Sequence, residues 1–297
     1  MTPDMSPQLF GFKKWIAGAR PRTLPAAIAP VLVGTCLMHH DKRPINLLNA
    51  VASLMVSLLL QIAVNYSNDY SDGIRGADES RVGPVRLVAS GLATATRVKT
   101  AAYISFSLAS VSGLFLSSRT SWWLIAIGVV CIVAAWTYTG GARPYGYIGF
   151  GEISVFIFFG VVATVGSYFV QSQKITWQSV LLSIPMGALS CAILSVNNLR
   201  DLPKDALVNK KTLAVRVGDK NARRMFVALI ILAHLAAILS SLITPWSLLT
   251  IIFIPSSTKI SRAVIQGSQG AALIPILGRV GKLQLSIAAV MAISLLI

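Results

Sequence analysis

Four carboxylates fall within eleven residues of the stretch Asn65-Tyr-Ser-Asn68-Asp69-Tyr-Ser-Asp72-Gly-Ile-Arg75-Gly-Ala-Asp78-Glu79, directly after the apolar run 50–64. A second cluster, Asn197-Asn198-Leu-Arg200-Asp201-Leu-Pro-Lys204-Asp205, follows another apolar run in the same way. With Asp219, the two regions hold seven of the ten acids in the chain. A lone exposed acid reads as part of a solvated loop, but like charges gathered at two hydrophobic mouths repel unless a cation offsets them. Hard oxygen donors with no His or Cys beside them suit Mg²⁺ far better than zinc. Mg²⁺ usually completes its shell with substrate phosphates, so a diphosphate is the natural third partner. Arg75, Arg81, Arg86, Arg200, Lys204, Lys210 and Lys211 lie among the acids, where leaving-group charge needs stabilising.

A diphosphate held at the mouth of a greasy cavity implies a lipid substrate with a diphosphate head. Ionising an allylic diphosphate produces a carbocation, which needs a dry pocket and aromatic faces. Tyr66, Tyr70, Tyr138, Tyr145, Tyr147, Phe156 and Tyr168 are the aromatic candidates.

The elements that must position these groups are membrane helices. Of 297 residues 55% are hydrophobic and 12% are charged, against about 25% charged in soluble domains. Apolar runs predict spans at 23–38, 47–64, 98–116, 122–138, 148–170, 177–196, 226–243, 246–265 and 283–297. The expectation is an all-α integral membrane protein, about nine transmembrane helices around a central cavity, with two cytoplasmic aspartate-motif loops. Residues 1–15 lack the apolar core of a cleavable signal peptide, so insertion relies on the first span.

Nine spans divide the loops into two sets, with 22 Lys and Arg on one side and 4 on the other. By the positive-inside rule the N-terminus and both acidic clusters are cytoplasmic, in a multi-pass protein of the cell membrane. This partition turns the net charge of +16 into a topology signal and removes the nucleic-acid reading. Asp69 and Asp201 lie 132 residues apart, which suggests a single domain over 1–297 with related halves, about 15–140 and 148–265, and a final helix at 283–297. Cys36, Cys131 and Cys191 sit inside apolar runs and read as small hydrophobes. His234 reads as a packed polar residue. Glu152, at a membrane edge, is a functional candidate or a partner of Arg143.

Asn68-Asp69-x-x-Asp72 with Asp78, and Asp201-x-x-x-Asp205 followed by Lys211-Thr212, resemble the two aspartate motifs of the UbiA superfamily of intramembrane prenyltransferases. The resemblance covers nearly the whole chain, including the basic Ala-Arg20-Pro-Arg22-Thr-Leu-Pro near the N-terminus. Arg81-Val-Gly-Pro-Val-Arg86 and Lys-Thr-Leu-Ala-Val-Arg-Val-Gly218 most resemble the branch that prenylates 1,4-dihydroxy-2-naphthoate in menaquinone biosynthesis.

The resemblance implies that Asn68, Asp69, Asp72, Asp78, Asp201 and Asp205 hold Mg²⁺ against polyprenyl diphosphate. Lys211, with Arg75 or Arg143, would stabilise the departing pyrophosphate. Asn65, Arg81, Arg86, Tyr138, Tyr145, Asn197, Asn198, Arg200 and Lys204 complete the expected substrate-binding set. The chain departs from the superfamily pattern twice: Asp72 and Asp78 are six residues apart instead of four, and Pro203 sits inside the second motif. Proline disfavours helix at Leu202, so a break between Asp201 and Asp205 is expected. The rival readings are transfer to another acceptor such as 4-hydroxybenzoate, and an ion-coupled transporter. Transporters carry their charges near mid-membrane, unlike these loop-borne acids. Membrane lipid is the remaining partner; no protein partner is evident.

Overall fold

The computed structural model describes residues 11–76, 83 and 85–297, and among these all regular elements are helical. After α1 (Phe12–Ala19) and α2 (Pro25–His40), several helices open on a local signal legible in the chain. Asn46 accepts the N–H of Asn49 at the start of α3 (Leu47–Ile74), and Thr94 that of Arg97 at the start of α4 (Ala95–Arg119). Thr176 and Ser179 form a capping box on α8 (Trp177–Leu207), and Thr212 caps α9 (Leu213–Leu239). Each side chain satisfies an N–H that has no partner within its helix.

Between α4 and α8 lie α5 (Trp123–Thr137) and one continuous span, Gly151–Ser172. That span consists of α6 (Gly151–Val155), a π-helical stretch (Phe156–Val162) and α7 (Ala163–Ser172). The chain closes with a 3₁₀ segment (Pro245–Phe253), α10 (Ile254–Ile265) and α11 (Leu273–Leu296). Pro255 occupies the first turn of α10, where its missing N–H costs nothing.

The molecule is a multi-pass membrane protein, and helix length and composition alone do not confirm the expected count of about nine. Among the described residues seven helices are long and apolar enough to cross a bilayer, and the pair Phe12–Thr23 and Pro25–His40, bent by 57°, makes an eighth. Trp123–Thr137 has only 15 residues, about 22 Å of helix against a hydrocarbon core of about 30 Å. Conversely, the last span starts at Leu273, ten residues before the expected position.

The interior is organised on α8, whose Met186, Leu189 and Ala192 are sealed by residues of α2, α9 and α11. A second cluster joins α3 to α4 through Ala63, Tyr66, Val98 and Phe106. Lipid supplies no hydrophobic drive between helices, so close backbone approach matters. A Cβ on Gly34 would stand 2.2 Å from the Thr164 carbonyl oxygen, and one on Gly160 2.6 Å from the Gly187 Cα. These contacts press the Gly151–Ser172 span onto α2 and α8. Cys36 and Cys191 are buried, Cys131 is half-buried, and His234 Nε2 meets Ser257 Oγ at 2.7 Å, so these residues pack as expected.

Two further expectations are corrected. Asn68, Asp69 and Asp72 stand on the last turns of α3, and Asp201 and Asp205 on those of α8, not in loops. Pro203 does not break α8, which runs through it to Leu207. Membrane helices tolerate such prolines because neighbouring groups satisfy the freed backbone.

Candidate active site

Asn65, Asn68, Asp69 and Asp72 follow the i, i+3, i+4, i+7 spacing that gathers side chains on one side of a helix. Their environments differ. Asp69 is fully buried and accepts the backbone N–H groups of Leu87 (2.8 Å) and Val88 (3.1 Å). Asp72 accepts the hydroxyl of Tyr147 at 2.6 Å and lies 3.5 Å from Lys210 Nζ and 3.9 Å from Arg86 Nη2. Asn65 donates to the Ala19 carbonyl and to Thr23 Oγ1, tying α3 to the turn after α1.

From α8, Asp205 lies 3.9 Å from the same Lys210 Nζ, so one ammonium bridges the two motifs. Asp201 pairs with Arg200 through two contacts of 2.8 Å. Asn198 donates to Glu152 Oε1 at 2.9 Å, which gives Glu152 a partner other than Arg143, itself exposed. Lys204 Nζ is buried with no hydrogen-bond partner among the described residues. Lys211 is exposed. The cation between the carboxylates is therefore its neighbour Lys210.

A third segment, the loop after α5, supplies groups that motif spacing could not assign. Thr139 Oγ1 donates to Asn68 Oδ1 at 2.7 Å, and Arg75 donates to the carbonyls of Thr139 and Gly141. The Tyr147 ring lies 4.9 Å from Lys210 Nζ and 5.5 Å from the Arg75 guanidinium. Burial, and next the Asp72 carboxylate, push the Tyr147 phenol above its ordinary range, so it remains a hydrogen-bond donor at neutral pH. The only hint of this in the sequence is an aromatic residue near the membrane edge. Asp78 and Arg81, expected at the site, lie outside the described residues.

A cavity of about 690 Å³ runs from this mouth into the membrane region, within the usual range for small-ligand sites. Its polar end carries Asn65, Asn68, Tyr138, Tyr145 and Asn197, and its walls include Leu60, Trp123, Ile127, Phe158 and Val162. A second pocket of about 450 Å³ is lined by Arg20, Arg22, Gly83 and Arg200. The two share Arg20, Thr23 and Asn197, so an apolar tunnel and a cationic pocket meet at one point. Apart from the family resemblance of Arg20-Pro-Arg22, charge and position alone do not separate Arg20 and Arg22 from topology signals, because N-terminal basic residues serve that purpose in any membrane protein.

Among the described residues no three acidic, His or Cys side chains converge to hold a metal by themselves. The donor set nevertheless suits Mg²⁺. It is all oxygen, and a cation, the Lys210 ammonium, already sits between the carboxylates of Asp72 and Asp205. Mg²⁺ takes one or two protein carboxylates and fills the rest with phosphate and water.

The profile of the UbiA prenyltransferase family matches residues 27–272. The 1,4-dihydroxy-2-naphthoate octaprenyltransferase of Mycobacterium tuberculosis is 46% identical over 270 residues, 91% of this chain and 92% of that one. The Escherichia coli protein of the same name is 37% identical over 289 residues, 93% of this chain and 92% of that one. A solved UbiA homolog from Archaeoglobus fulgidus, bound to GPP and Mg²⁺, superposes with a TM-score of 0.62 at 14% identity, over 95% of this chain and 99% of that one.

Proposed function

This chain belongs to the UbiA prenyltransferase family, and from that premise we propose that it transfers a polyprenyl group from polyprenyl diphosphate to 1,4-dihydroxy-2-naphthoate. The observation that carries this reading is the meeting of Asp72 and Asp205 around Lys210, with Asp72 one helical turn from Asn68, which lines the apolar cavity. The names of the relatives from M. tuberculosis and E. coli support the acceptor.

In the reaction the allylic C–O bond breaks and pyrophosphate leaves with the electron pair. The ring carbon bearing the carboxylate attacks the prenyl carbon. Its bond to the carboxylate then breaks, returns the pair to the ring and releases CO₂, giving demethylmenaquinol. Asn68, Asp72, Asp201 and Asp205 are the residues to hold Mg²⁺, which when bound offsets the charge of the departing pyrophosphate. Lys204, Lys210 and Arg86 place positive charge where that group separates. Tyr138 and Tyr145, edge to face at 5.4 Å, present aromatic surface at the cavity end where the cation forms. The apolar walls keep water from that cation. Arg20, Arg22 and Arg200 suit the acceptor carboxylate in the adjoining pocket. The distribution of Lys and Arg sets this face toward the cytoplasm of a cell membrane.

The test is transfer by the purified chain in lipid nanodiscs, supplied with farnesyl diphosphate, Mg²⁺ and carboxyl-labelled 1,4-dihydroxy-2-naphthoate. Prenylated product and labelled CO₂ are expected. Transfer to 4-hydroxybenzoate and none to the naphthoate would replace the acceptor.

A further inference from the structure

Asp69 stands beside Asn68 in the first motif, yet its surroundings are those of an anchor. It is fully buried, and both of its carboxylate oxygens are taken up by backbone. Its two oxygens take the N–H groups of consecutive residues, Leu87 and Val88. Hydrogen bonds to a charged acceptor are roughly twice as strong as neutral ones. Two further features hold the same segment against α3. Leu87 is fully buried where Gly18 and Tyr66 meet: a Cβ on Gly18 would stand 2.7 Å from the Leu87 side chain and 2.9 Å from the Tyr66 ring. Val88 packs onto Gly73 so closely that a Cβ there would lie 2.6 Å from the Val88 side chain. The residue next to this pinned pair is Arg86, itself buried, whose Nη2 faces Asp72 Oδ2 at 3.9 Å. Asp69 and Asp72 are one turn apart on α3, so one helix both presents the carboxylate and fixes the backbone that brings the cation to it.

We propose that Asp69 is a positioning residue that docks residues 86–88 on α3 and thereby sets Arg86 at the diphosphate side of Asp72. The inference rests on the prenyl-diphosphate function proposed for the site and assigns Asp69 a duty different from that of its neighbours in the motif. Asp69→Asn keeps the shape, but its amide nitrogen cannot accept an N–H, so one of the two anchoring bonds is lost. Gly73→Ala reaches the same segment by another route, because it displaces Val88 while leaving the Asp69 carboxylate intact.

The experiment measures two quantities on the full chain in nanodiscs: binding of farnesyl thiodiphosphate, a non-reacting probe, and the Mg²⁺ concentration for half-maximal transfer. D69N, G73A and R86A are each expected to weaken probe binding about tenfold. D69N/R86A is expected to bind no worse than R86A alone, the sign that two residues act through one another. The Mg²⁺ requirement of D69N and G73A is expected to stay within about twofold of the parent, whereas D72N shifts it. The proposal is overturned if D69N moves the Mg²⁺ requirement as D72N does, if the losses of D69N and R86A multiply, or if G73A binds the probe normally. Should D69N fail to fold, G73A alone decides the matter by the same two measurements. An unsubstituted chain that transfers no prenyl group overturns the functional reading itself. A chain that does transfer, with independent variants, overturns only the role of Asp69.

Discussion

The phenolic hydroxyl of Tyr147 donates to Asp72 Oδ1 at 2.6 Å, joining the loop after α5 to the end of α3 across 75 positions of sequence. A hydrogen bond to a charged group contributes about 1.5–3 kcal/mol, so Tyr147→Phe is expected to lower kcat/KM for the prenyl donor by about 10- to 100-fold. Steady-state kinetics with farnesyl diphosphate check this. An unchanged kcat/KM would mean that Asp72 is oriented without Tyr147.

Lys210 and Lys211 are adjacent and chemically identical, yet only Lys210 bridges the two motifs. Lys210→Met is expected to reduce transfer by about 100-fold, or about 2.8 kcal/mol at tenfold per 1.4 kcal/mol. The exposed Lys211→Met is expected to stay within about threefold. Equal losses would show that the two exchange roles once substrate binds.

The Lys210 ammonium lies between the Asp72 and Asp205 carboxylates and offsets part of their charge. Chelation of divalent ions should therefore abolish transfer while leaving the chain folded, and added Mg²⁺ should restore activity. Thermal unfolding followed by tryptophan fluorescence is expected to rise when Mg²⁺ and a donor analogue are added together, because a ligand that binds only the folded state stabilises it. Asp72→Ala should remove that rise.

Gly187 faces the π-helical stretch, and a Cβ there would lie 2.9 Å from the Phe156 ring. Gly187→Ala is expected to cost about 1–3 kcal/mol of stability by overpacking. It should also push Phe158 and Val162 of the cavity wall inward. A forty-carbon donor should then lose more activity than a ten-carbon one, measured as the ratio of their kcat/KM values. An equal loss for both would show that the wall yields elsewhere.

Much of this was legible from residue types alone. Apolar runs declare a membrane protein because about 20 such residues must bury their backbone polar groups in a helix to cross lipid. Small polar caps at Asn46, Thr94, Thr176 and Thr212 mark where helices begin, because capping is a contact between near neighbours. The pairing of two acidic motifs with interleaved cations pointed to a metal and a diphosphate, since charge that dense at a membrane mouth requires a partner.

The division of labour within each motif was decided by tertiary structure. Asp69 and Asp72 are the same residue type three positions apart, but the N–H groups that engage Asp69 arrive from 18 and 19 residues away. The hydroxyl that engages Asp72 comes from the loop after α5. Lys210 is distinguished from Lys211 only because Asp72 of α3 is brought opposite Asp205 of α8. The passage of α8 through the exposed Pro203 likewise runs against local preference. Spacing along a chain determines which side of a helix a residue occupies. What it meets there is set by contacts distant in sequence, and these exist only once the helices have packed.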